Sequence, residues 1–172
     1  VQVGPAFVRD DELVVFASYA NVRGGEAVPG VSVAVIGAND DTAEVSAVDA
    51  RCGGLSTKAV VPFEDGSVVV SSSLNTGSDV AAGGQNLPFP CAVRLNAGEN
   101  ELDADFFLDL QGHTGTKASG GLIAGPERSA FVFLFDPETA DADEFERGWL
   151  LYKINDVDLP LPLTRVDAFP PT

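Results

Sequence analysis

Apolar and polar residues alternate along much of this chain, and most regularly in ELDADFFLDL, residues 101–110. Leu102, Ala104, Phe106, Leu108 and Leu110 fall on one face of an extended strand, with Asp103, Asp105, Phe107 and Asp109 on the other. A period of two is the pattern of a sheet with one buried and one wet side. ELVVFASYA, residues 12–20, is rich in β-branched and aromatic residues and apolar on both faces, which predicts an interior strand. AFVFLFD, residues 130–136, is also apolar on both faces and is expected to be the most buried strand. Further strands are predicted over 31–37, 56–61, 67–72, 91–95 and 148–154, with 42–49 as a polar-faced partner. Gly, Pro, Asn and Asp turns separate them.

Glycine and proline mark two long loops, residues 75–90 and 112–125. Asp136-Pro137-Glu138 has the order of a helix start, so 137–145 is either the single short helix or an acidic loop. Residues 1–11 alternate weakly around Gly4-Pro5 and form an N-terminal arm or edge strand. In the tail, 156–172, Val157, Leu159, Leu161 and Leu163 alternate with Asp158, Pro160 and Pro162. Two prolines bar a central strand but fit an edge strand, which pairs once. Its partner is its own sheet, or a neighbouring subunit to which it serves as an assembly strand. About ten short strands and at most one helix describe an all-β fold. The expectation is a single antiparallel β-sandwich domain over 1–172, immunoglobulin-like or jelly-roll.

Charge changes the picture of the surface. The chain holds 26 acidic residues against 10 basic ones, with 16 Asp and only three Lys, for a formal charge of −16. A hydrophobic fraction of 45% excludes disorder in spite of that charge. Nucleic acid is excluded as a partner, because no Lys/Arg cluster exists to displace counterions from phosphates. The Asp-rich, Lys-poor composition is similar to that of proteins from salt-loving organisms, where dissolved salt screens self-repulsion. The other readings are an acidic protein of ordinary salinity and a surface tuned for cations or a basic partner.

Cys52 and Cys91 are the only cysteines. Two thiols and a single histidine make a poor zinc site, so the pair reads as a disulfide rather than as two buried thiols. It would close a loop of about 40 residues and contribute roughly 4 kcal/mol in the chain-entropy account. A disulfide implies an oxidising compartment. With Val1 rather than Met in first place, the expectation is a secreted, cell-surface protein whose leader has been removed, with a virion as the alternative. No run of 18 apolar residues is present to span a membrane.

Candidate chemistry is sparse. His113, in a Gly-rich loop after Asp109, is the sole imidazole, and no nucleophile-elbow motif accompanies it; it reads as an exposed loop histidine. Asp103, Asp105 and Asp109 share a strand face, and Asp141, Asp143 and Glu144 crowd one acidic stretch. Both sets are weak Ca2+ candidates, since a flat strand offers few oxygens and the EF-hand spacing is missing. No cofactor is expected. The readings carried forward are a non-enzymatic structural subunit of an extracellular assembly (pilus-like filament, surface layer or adhesion structure), a virion capsid or decoration protein, and a carbohydrate- or ligand-binding module using Trp149, Tyr152 or Tyr19. Its partners would be copies of itself or other surface or virion proteins.

Overall fold

The structure, a computed structural model, describes residues 2–18, 30–39, 42–72, 90–110, 119–135, 149–158 and 163–166. They form twelve strands: β1 (Gln2–Arg9), β2 (Glu12–Ser18), β3 (Val31–Gly37), β4 (Glu44–Val45), β5 (Leu55–Pro62), β6 (Val68–Ser72), β7 (Cys91–Leu95), β8 (Leu102–Asp109), β9 (Ser119–Ala124), β10 (Ala130–Phe135), β11 (Trp149–Ile154) and β12 (Thr164–Arg165). All pairings are antiparallel. The fold is all-β and sandwich-like, as the alternation predicts.

The strands divide into three four-stranded sheets, β1-β2-β3-β4, β5-β6-β7-β8 and β12-β11-β10-β9. Each is a meander of strands consecutive in the chain. The first and second sheets enclose one core, built on Phe16, Val33, Leu55, Val70, Val93 and Leu95. The second and third enclose another, built on Val61, Val69, Leu108, Leu122, Val132 and Ile154. The second sheet is therefore the middle of three layers. That is why β6, with every residue buried, is the most buried strand among those described. Strand β10, expected in that role, lies in an outer layer and buries only Ala130, Val132 and Leu134 of its alternating set.

Strand β9 corrects the reading of 112–125 as loop throughout. Gly121 is there because two backbones meet. A Cβ on Gly121 would lie 2.9 Å from both Ala59 Cβ and the Ser72 carbonyl oxygen, and the adjacent Leu122 N–H donates to the buried Ser71 Oγ at 2.8 Å. Glycine inside a strand commonly marks such an approach. Gly4 does the same where β1 meets β5, with a Cβ there 3.0 Å from the Phe16 carbonyl oxygen and 3.5 Å from Leu55 Cβ.

The alternation of 101–110 is also broken. Cys91 pairs with Asp109 and Val93 with Phe107, but Leu95 pairs with Leu102, so β8 carries three extra residues at this point. An odd shift reverses the faces. Leu102 consequently packs with the first core while Phe106 and Leu108 enter the second. The tail differs too. Val157 is in a turn, 1% exposed in the second core, its N–H donating to the Arg128 carbonyl. The paired edge strand is β12 on β11, continued by a bond from Val166 N–H to the Leu151 carbonyl. Leu163 packs against the second core, and Leu159 and Leu161 lie outside the described residues. Residues 2–9 are an edge strand, one of the two options for the N-terminal arm; 137–145 lies outside the described residues.

Candidate assembly surface

Cys52 and Cys91 form the disulfide, buried in the first core and joining the turn after β4 to the start of β7. The acidic candidates do not converge. Asp103 Oδ2 accepts from Arg94 Nη2 at 2.6 Å, and Asp103 Oδ1 accepts the Asp105 N–H at 2.9 Å inside the bulge. Asp109 sits beyond it, in register with Cys91. Among the described residues no group of three or more His, Cys, Asp or Glu side chains is placed to hold a metal ion. His113, Asp141, Asp143, Glu144 and Tyr19 lie outside the described residues. Tyr152 packs on the second core, and Trp149 lies in register with Phe135 in the third sheet.

What the structure does bring together is a chain of ion pairs over the rim of the second core. Arg94 bridges Asp103 and Asp158, the latter at 2.5 Å, and Arg128 links Asp158 to Asp65 at 3.1 Å. Each guanidinium also covers a ring of the core, Arg94 over Phe106 at 4.6 Å and Arg128 over Phe63 at 4.8 Å. Such contacts combine packing of the side-chain stem with cation–π attraction. Burial pushes the Asp103 carboxyl up, but Arg94, the Asp105 N–H and Asn96 together hold it below the usual carboxylate range. Ser67, through its hydroxyl and N–H, and then Arg128 hold Asp65 low. On the opposite side of β8, Arg51 pairs with Asp49 at 2.5 Å and donates to the carbonyls of Asp103 and Ala104, which closes the bulge. That hydrogen-bonded pairing holds the Asp49 carboxyl below its ordinary value. These clusters fasten loops to strands, and every guanidinium in them is already paired.

The outer face of the first sheet is different. Register places Val8 beside Leu13, Leu13 beside Ile36, Val15 beside Ala34 and Ala34 beside Val45, all on the side away from the second sheet. Ala6, Ala17 and Ser32 occupy the remaining described positions, so this face carries no charge among the described side chains; Ser32 is 1% exposed, so the open part of the face lies toward Val8, Leu13 and Val45. Val8 is 74% exposed, Leu13 41% and Val45 58%. The charged residues of these strands, Arg9, Glu12 and Glu44, occupy the opposite face. There Arg9 holds Glu12 at 2.6 Å and donates to the Glu99 carbonyl and Asn100 Oδ1, while Asn100 reaches Glu44. A solvated outer sheet normally has the reverse pattern. The apolar second face of 12–20 predicted an interior strand; β2 is interior within its sheet, but its layer is an outer one. That second face was the one sequence signal for this surface.

No protein-family model matches this chain, and no curated protein matches its sequence. No helix among the described residues is long and apolar enough to cross a membrane.

Proposed function

We propose that this chain is a non-enzymatic structural subunit of an extracellular assembly in a salt-rich setting, joined to its neighbours through the outer face of its first sheet. The observation that supports this is the charge-free face itself, on a chain of formal charge −16. A large exposed apolar patch marks an interaction site, and Val8, Leu13 and Val45 are the exposed members of this one, with Val15, Ala34 and Ile36 half-buried between them. Here the strand charges have been withdrawn to the other side and paired. The buried disulfide suits an oxidising compartment. The acidic remainder of the surface would oppose self-association in dilute salt, and molar salt screens that repulsion while strengthening apolar burial.

The test is sedimentation velocity and electron microscopy of the full chain across a salt series. Wild-type protein is expected to associate in molar NaCl and to dissociate on dilution of the salt. Leu13→Asp is expected to stay monomeric in molar salt with an unchanged circular dichroism spectrum. A wild-type chain that remains monomeric at high concentration in molar salt would overturn the proposal.

A further inference from the structure

The third sheet is the other outer layer, and it too turns an apolar face outward. Phe131 lies beside Ile123 on one side and Lys153 on the other, and Phe133 beside Leu151. Ile123 is 48% exposed, and Lys153 is the only charged residue in register on this face among the described side chains. The two outer faces point in opposite directions, because the second sheet lies between them.

We propose that the occupant of the first sheet's outer face is the third sheet of a second copy, so that subunits stack head to tail. This rests on the assembly reading above and names its partner and geometry. Two arguments carry it. The chain already stacks four-stranded sheets on one another twice, and a copy placed this way continues the same layering with a face of matching size, roughly 20 by 25 Å. The charges are complementary: Lys153 is the cation of one face, while Asp10 and Asp11 stand in the hairpin at the rim of the other. Pairing two first-sheet faces would instead bring two such acidic hairpins into one interface. A contact between two different faces is heterologous and leaves a free face at each end, which generates open polymers rather than closed dimers.

The experiment uses Val8→Asp on the first face and Ile123→Asp on the third-sheet face, alone and mixed one to one, with sedimentation and microscopy in molar salt. Wild type is expected to form open-ended polymers. Each variant alone is expected to lose them, association weakening roughly 100-fold as a carboxylate is buried unpaired. The mixture is expected to form 1:1 dimers and nothing longer, since it retains one sound pair of faces. Lys153→Glu is the second third-face probe should Ile123→Asp fail to fold, and it is expected to weaken association likewise. A wild type that closes into dimers, abolished by Val8→Asp but untouched by Ile123→Asp and Lys153→Glu, would overturn the head-to-tail arrangement and leave the assembly reading standing. A wild type monomeric at every salt concentration would overturn both.

Discussion

Gly121 has no room for a methyl group. Its ideal Cβ position meets backbone and a strand Cβ rather than a flexible side chain, so Gly121→Ala is expected to cost about 2–3 kcal/mol, read as a lowered denaturant midpoint. Ser18 is the opposite case: its Oγ is buried without a hydrogen-bond partner among the described residues. Ser18→Ala is expected to be neutral or to stabilise by about 1 kcal/mol in the same assay. Asp103 sets part of the acid limit. Its folded pKa is held below the unfolded value, so its contribution is present above the ordinary carboxylate range and is lost as pH falls through the depressed folded value. Wild-type stability is expected to decline below about pH 5, and Asp103→Asn to be less stable at neutrality with a shallower decline. Urea titrations from neutrality down to acid pH check both. None of these roles is visible in single residues of the sequence. Gly121 looked like one glycine among five in a loop, and Asp103 like one carboxylate of a wet face.

At the scale of the element, the alternation of β8 was legible and its interruption was not. Periodicity is a local signal, whereas the three-residue shift is held by partners far along the chain. Arg51 donates to two bulge carbonyls from 52 and 53 residues away, and Arg94 takes Asp103 from β7. Arg51→Ala is expected to free those carbonyls on a strand at the edge of its sheet, costing about 1–2 kcal/mol and raising aggregation on heating, measured by light scattering alongside thermal unfolding. The tail shows the same division. Its proline pattern announced an edge strand, and one exists at β12. Val157, assigned to that strand by alternation, is instead held in a turn by Arg128 and the second core.

At the scale of the whole molecule, the all-β class, the disulfide and the main strands could be read from alternation, turn residues and cysteine count. The three-layer arrangement could not, because apolar residues on both faces of a strand fit a middle sheet and an outer sheet with an exposed apolar face equally well. Strands β2 and β6 share that composition, yet one lies in an outer layer and the other in the middle. Replacing both cysteines by alanine is expected to cost up to about 4 kcal/mol, since the bond ties the end of the first sheet to an interior strand of the second. Reducing agent is expected to lower the melting temperature of wild type and leave the double variant unchanged.

The meanders also set an order of events for a chain that emerges from its N-terminus. Among the described residues every hydrogen-bonded strand pair joins consecutive strands, so each sheet completes its ladder before the next stretch is needed. Local pairing of this kind closes short loops and is fast compared with long-range crossovers. The first sheet is then paired before either face is covered, one carrying Phe16 and Val33 beside Arg9, Glu12 and Glu44, the other Val8, Leu13 and Val45. The arrival of the second sheet covers Phe16 and Val33 and leaves Val8 and Leu13 outside. Until then both faces expose apolar side chains, and the closing of Cys52 onto Cys91 is the covalent step that fixes the second sheet over the Phe16 face.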